Sequence, residues 1–230
     1  MSTALEKTLI FLEYIENMIK NFNKIIENIK QMNLPYTEFV KFMEDINDPF
    51  IVLIACILSL RTNDKTTYPA TMRMLKLGKT PKDFLSVKLE DLEKAIYPVG
   101  FYKNKAQQIL DIAYELYHNH NSIVPKAIEE LIKFKGVGRK TANLVQAKGY
   151  GLPSICVDVH VHRISNRLGL VETKEPEETE FALKENLPEK CWSDINTLFV
   201  TLGQNVCKPT KPDCAKCSLQ NYCKFYKENN

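Results

Sequence analysis

Lys140 stands two residues after the turn Gly136-Val137-Gly138, within Phe134-Lys135-Gly136-Val137-Gly138-Arg139-Lys140-Thr141. Two glycines around one apolar residue permit a tight turn with positive φ. They also leave backbone N–H groups uncovered at the start of the next helix. Such groups, with the positive end of the helix dipole, bind phosphate oxygens without reading base sequence. Val137 is placed to point inward and pin the turn to a core. Arg139, Lys135 and the helix N-terminus add positive potential around Lys140, which favours the neutral, nucleophilic amine. A plainer reading is an ordinary turn between helices, with a lysine that contacts phosphate or solvent. A nucleotide-binding P-loop is excluded. It needs four residues between its glycines, lysine directly after the second, and a preceding strand.

Asp158 is the sole acid between Glu130 and Glu172. A lone carboxylate in a basic stretch suits an electrostatic or proton-handling role. Aspartate is also a good N-cap, here for a helix from Val159 to Leu168. The preceding residues alternate strictly from Ile155 to Val161, which is a strand pattern. A lone strand with no partner is implausible, and a cap at Asp158 turns Ile155 to Val157 into a short extended approach to a helix. Asp158, His160 and His162 also raise a metal site, since on a strand all three would share a face. On a helix only Asp158 and His162 would.

Cys207, Cys214, Cys217 and Cys223 form a C-x6-C-x2-C-x5-C array. In an intracellular chain such a cluster points to metal rather than disulfides. Four thiolates in one short loop suit a zinc ion or a four-iron cluster, and the spacing leaves both open. Lys208, Lys211 and Lys216 lie between or beside the ligands, so a stapled loop would present a basic surface. Cys56, Cys156 and Cys191 are scattered through apolar surroundings and read as buried packing residues.

Helical periodicity dominates the elements that must position these groups. Leu5, Leu9, Leu12, Ile15, Ile19, Phe22, Ile26 and Ile29 recur at spacings of three and four, which predicts an amphipathic helix over residues 5–30. Asp48-Pro49 reads as N-cap and N1 of an apolar helix ending near Leu60. Thr62 or Asn63 caps a helix toward Leu77 in which Pro69 implies a kink or a late start. Thr80-Pro81 opens a short helix, and another ends at Ala95-Ile96. Further helices are expected over residues 102–117, from Pro125 to near Phe134, and over 139–150, 176–186 and 192–202. The result is an all-helical protein of about ten short helices.

The 230 residues allow one large domain or two small ones. The apolar run from Phe50 to Leu60 is too short for a membrane span, which needs ~20 residues. The N-terminus MSTALEKTLIF lacks the order of a signal peptide, so the chain reads as intracellular. Net charge is only +3 but uneven, with seven Lys/Arg against one acid between Lys133 and Arg167. Five lysines face one aspartate between Cys207 and Lys227, and seven glutamates face two lysines between Glu172 and Glu189. Two basic segments around an acidic one fit a polyanion partner, or simply a clumped surface charge.

Taken in order, these features resemble the endonuclease III family of DNA glycosylases in the helix–hairpin–helix superfamily. The resemblance runs from about Asp48 to Cys223. It rests on Leu58-Ser59-Leu60-Arg61-Thr62-Asn63-Asp64, Val99-Gly100-Phe101-Tyr102-Lys103-Asn104-Lys105-Ala106, Gly136 to Ala142, Val157-Asp158-Val159-His160 and the cysteine array. It implies a two-domain all-α fold: a six-helix domain over residues 45–152, a second domain from 1–44 plus 153–230, and a DNA-binding cleft between them. It implies a [4Fe–4S] cluster on Cys207, Cys214, Cys217 and Cys223, with Lys140 as nucleophile and Asp158 as its acidic partner. Gly136, Val137, Gly138, Arg139 and Lys211 would contact double-stranded DNA. Arg61 stands where the best-known members have a glutamine that fills the gap left by a flipped nucleotide. Phe101 stands where a leucine wedge is expected, and Lys135 replaces a common proline. The implied activity is that of a bifunctional glycosylase and abasic-site lyase acting on oxidised pyrimidines, as a cytoplasmic, nucleoid-associated monomer. Mismatch-specific relatives that only remove the base lack the lysine. The rival readings are such a monofunctional enzyme, a zinc-stapled DNA-binding module, and a metal-dependent hydrolase using Asp158, His160 and His162.

Overall fold

The computed structural model describes residues 4–229. Thirteen α-helices and no strand are found among them. In chain order they are α1 (Ala4–Gln31), α2 (Glu38–Asp45), α3 (Pro49–Ser59), α4 (Asp64–Met74), α5 (Pro81–Phe84), α6 (Leu89–Ile96) and α7 (Tyr102–Asn119). There follow α8 (Ile128–Leu131), α9 (Arg139–Leu144), α10 (Val159–Leu168), α11 (Pro176–Asn186), α12 (Ile195–Asn205) and α13 (Lys224–Asn229). The chain divides into a continuous unit, Tyr36–Cys156, and a discontinuous one, Met1–Pro35 with Val157–Asn230.

The continuous unit is built around α3. Asp48 Oδ1 accepts hydrogen bonds from the N–H groups of Phe50 at 2.9 Å and Ile51 at 3.0 Å, and Pro49 occupies the first turn where its missing N–H costs nothing. Every residue from Phe50 to Leu58 is buried. A helix apolar on all sides must be surrounded, and α4, α7 and α9 pack around it. Asn63, not Thr62, caps α4, and Pro69 sits inside that helix without ending it. Thr80 and Asp83 form a capping box at α5.

Three helices differ from their sequence pattern. The segment after Pro125 forms only the single turn α8, because the chain must bend toward the glycine hairpin. The helix from Arg139 does not stay α-helical: Val145–Gly149 is a π turn. A Cβ at Gly149 would lie 2.7 Å from Pro49 Cα, so the widened turn sits tight against the start of α3. The segment at Trp192 begins as a 3-10 turn, Glu189–Cys191, and α12 starts at Ile195.

In the discontinuous unit, α1 and α10 both pack on α12. Phe22, Ile26 and Ile29 are buried as the periodicity requires. The side chains of Leu5, Leu9, Leu12 and Ile15 lie outside the described residues. Ile155 to Val157 belongs to no helix or strand, and α10 begins directly after Asp158. No helix among the described residues is long and apolar enough to cross a membrane.

Candidate active site

The glycine hairpin joins Phe134 to α9. Val137 is buried, and its N–H donates to the Phe134 carbonyl at 3.0 Å. The two glycines do different things. Gly136 has φ +75°, and a Cβ there would meet Gln108 Nε2 at 2.5 Å. Gly138 has φ −101°, not the positive value that the sequence pattern implied, and a Cβ there meets nothing within 4 Å. Gly136 therefore answers a backbone and packing demand inside the protein. Gly138 leaves the entrance to α9 uncovered. Gly136→Ala should destabilise folding by about 1 kcal/mol or more. Gly138→Ala should leave the melting temperature unchanged and weaken DNA binding, and calorimetry beside a binding titration separates the two.

Lys140 is half-buried on the first turn of α9. Its backbone is held from behind: Cys156 Sγ donates to the Lys140 carbonyl at 3.4 Å, and Cys56 Sγ donates to Thr141 Oγ1 at 3.4 Å. Fully buried Asn143 donates to the Arg139 carbonyl at 3.0 Å and accepts a hydrogen bond from the Ser154 hydroxyl. All three scattered cysteines are buried, as expected. Two of them turn out to brace the helix that carries the lysine.

Asp158 caps α10. Its Oδ1 accepts from the N–H groups of His160 and Val161, both at 2.9 Å, so Oδ2 is not needed for the cap. The two histidines diverge. His160 Nδ1 pairs with Arg163 Nη2 at 3.1 Å, and His162 Nδ1 with Thr179 Oγ1 at 2.7 Å. The helix disperses the metal triad that a strand would have gathered, and no group of His, Cys, Asp or Glu suited to a single metal ion is found among the described residues.

Arg61 and Phe101 are both exposed, and both hold left-handed backbone, with φ +52° and φ +57°. Such conformations cost about 1–3 kcal/mol each in a non-glycine residue and concentrate at functional sites. Phe101 is 64% exposed.

The four C-terminal cysteines line one cavity with Arg167, Val206, Pro212 and Phe225. Burial raises the pKa of the Cys217 and Cys223 thiols, and the neighbouring cysteine charges raise them further. Held as four thiolates, they would repel one another and would need a cationic centre to offset that repulsion. Arg167 Nη1 donates to Cys207 Sγ at 3.2 Å, and its guanidinium also reaches the Lys208 and Pro209 carbonyls, both at 2.8 Å. The Tyr226 N–H donates to Cys223 Sγ at 3.4 Å. N–H groups aimed at the sulfurs suit the ligands of an iron–sulfur cluster. Lys211 lies exposed in this loop with φ +50°.

Residues 54–189 match the model of the HhH-GPD superfamily of base excision DNA repair proteins. The chain is 47% identical to endonuclease III of Thermotoga maritima over 180 residues, covering 78% of this chain and 84% of that protein. The chain belongs to the endonuclease III family.

Endonuclease III of Bacillus subtilis is 36% identical over 179 residues. The fold superposes on a trapped endonuclease III–DNA covalent intermediate with a TM-score of 0.75 and 34% identity, covering 90% of this chain and 97% of that one. A thermostable thymine-DNA glycosylase has the same TM-score at 21% identity, which shows a shared fold alone. As a member of the endonuclease III family the protein is a bifunctional base-excision-repair enzyme, a DNA glycosylase and abasic-site lyase. Asn143, Ser154 and Lys105 were not singled out by the sequence. Only Lys105 lay within a family-like segment, and its partners are distant in the chain.

Proposed function

We propose that this protein removes oxidised pyrimidines from duplex DNA and cleaves the resulting abasic strand, with Lys140 as nucleophile. The observation that supports this is a half-buried lysine on the first turn of the helix leaving the glycine hairpin. The damaged nucleotide is flipped from the duplex, because its sugar carbon is shielded inside the stack. Backbone N–H groups around Gly136 to Gly138 and the Arg139 side chain hold phosphates, and Lys211 adds a contact from the cysteine loop. Arg61 and Phe101 serve as wedges for the gap that flipping leaves. Lys140 Nζ attacks C1′, and the base leaves with the electron pair of the glycosidic bond. The Asp158 carboxylate stabilises positive charge on the sugar and takes up the proton that Lys140 loses. Sugar-ring opening yields a Schiff base, loss of a C2′ proton expels the 3′ phosphate, and water releases the lysine.

Cys207, Cys214, Cys217 and Cys223 are the residues that would hold a [4Fe–4S] cluster. The cluster would supply the cationic centre that makes their loop rigid. The protein works as a monomer on chromosomal DNA in the cytoplasm.

A nicking assay across duplexes with thymine glycol, other oxidised pyrimidines, 8-oxoguanine and a T·G mismatch tests the substrate class. Oxidised pyrimidines should be cut fastest, and cleavage confined to the mismatch would overturn the reading. Asp158→Asn keeps a capping oxygen but removes the charge. It should lower the single-turnover rate by about 10²–10⁴-fold with little loss of stability. Asp158→Ala should lose about 1 kcal/mol as well. Equal rates for Asp158→Asn and the native protein would remove Asp158 from the mechanism.

A further inference from the structure

Lys105 is only 6% exposed, one turn into α7. Its ammonium has three donors and meets three acceptors: the Leu58 carbonyl at 3.0 Å, the Leu60 carbonyl at 2.5 Å and Thr62 Oγ1 at 3.3 Å. The first two carbonyls belong to the end of α3, where helix carbonyls lack partners and the dipole is negative. Thr62 Oγ1 also accepts the Gly100 N–H at 3.1 Å and donates to the Leu60 carbonyl at 3.3 Å. The turn through Arg61 and the turn through Phe101 therefore meet on one hydroxyl. They are also in close backbone approach, since a Cβ at Gly100 would lie 3.0 Å from the Arg61 carbonyl oxygen.

Burial pushes the Lys105 pKa down to about 8, so the side chain is still an ammonium at neutral pH. Burying an ammonium is costly, and an apolar residue would fill the space more cheaply. A polar node is needed if two strained, exposed turns must be held in one arrangement. One further turn along α7, Gln108 Nε2 donates to the Lys135 carbonyl at 2.6 Å. Lys105 and Gln108, three positions apart, lie on neighbouring turns of one helix face, and Phe101 is the N-cap of that helix. The first two turns of α7 thus follow directly on the Phe101 turn, tie down the Arg61 turn through Lys105, and bond the hairpin through Gln108.

We propose that Lys105 is a positioning residue for nucleotide extrusion: its ammonium locks the Arg61 and Phe101 turns into a single wedge, set in register with the glycine hairpin by α7. This rests on the reading of Arg61 and Phe101 as wedges given above. It assigns the ammonium no contact with DNA.

The test compares two substrates for the full-length, cluster-loaded protein. One is duplex DNA with an oxidised pyrimidine, which must be flipped. The other is a single-stranded oligonucleotide with a preformed abasic site, which needs no wedge. Lys105→Met should lower the ratio of duplex to single-strand rates by about tenfold to a hundredfold, the effect of an ångström-scale misplacement. The fluorescence rise of 2-aminopurine opposite the lesion should fall with it. An unchanged ratio, including equal slowing on both substrates, would overturn the proposal, because loss of stability alone acts on both. If Lys105→Met does not fold, Thr62→Val carries the same expectation, since it removes the shared hydroxyl. The double variant Arg61→Ala, Phe101→Ala separates the two layers. If it lowers the ratio and the node variants do not, the wedge stands and the positioning role falls. If it leaves the ratio unchanged, the wedge reading fails and takes this proposal with it.

Discussion

Borohydride should trap no covalent complex between the Lys140→Ala protein and duplex DNA carrying thymine glycol, whereas the native protein should be captured. The reductant converts the carbon–nitrogen double bond of a Schiff base into a stable amine, so capture requires a primary amine that has attacked the sugar. Single-turnover base release and nicking should both fall on the order of 10⁴-fold, because the nucleophile and its activating surroundings act as a unit. DNA affinity should fall only severalfold, since the hairpin N–H groups and Arg139 remain. Folding stability should stay within about 1 kcal/mol, as a cation on the first turn of a helix faces the positive end of the dipole. Undiminished capture of Lys140→Ala would move the chemistry to another amine. Capture lost together with the fold would show on a melting curve, which distinguishes a broken protein from a missing nucleophile.

Replacing Cys214 or Cys217 by alanine should have the second largest effect, and through a different route. Between Val206 and Lys224 the chain forms only the two 3-10 turns Cys214–Lys216 and Gln220–Tyr222. Neither turn contains a buried residue. Leu219 is the one buried side chain between them, which is little apolar burial to offset the segment's conformational entropy, so a bound centre would supply the stability, about a few kcal/mol. The native protein should be brown and contain iron, and the variants should be colourless. Protease should cut the variants between Cys207 and Cys223, and DNA affinity should fall. Lys208, Lys211 and Lys216 would no longer be presented together, so the salt dependence of binding should weaken by about one to three units of log–log slope. A colourless native protein that contains zinc would refute the iron assignment while leaving the staple in place. Full iron content in a Cys214→Ala protein would instead remove that cysteine from the ligand set.

Local chemistry made much of this protein legible. The Asp48-Pro49 and Thr80-Pro81 starts appear at the residues anticipated, because capping depends on groups within three positions along the chain. The alternating segment before Asp158 was the hardest local conflict. It resolved as the cap argument required, since a carboxylate can satisfy two N–H groups of a helix while a lone strand satisfies none. The same resolution dispersed His160 and His162, which only a strand would have aligned.

What the sequence by itself determined was the order and spacing of Lys140, Asp158 and the four cysteines, and with them the family. It also determined most of the helical segments, because periodicity and caps are short-range properties, but not α2 or α13, which the sequence reading did not name. Only the tertiary structure decided what stands behind those residues. The π turn at Val145–Gly149 exists where the backbone crowds Pro49, about a hundred residues earlier. Cys156 and Cys56 brace the Lys140 helix rather than filling anonymous core. Lys105 stood in a family-like segment with no role attached, and its three acceptors lie 43 to 47 positions away. A buried charge takes its meaning from the partners that the fold brings to it, and no spacing rule along the chain records them.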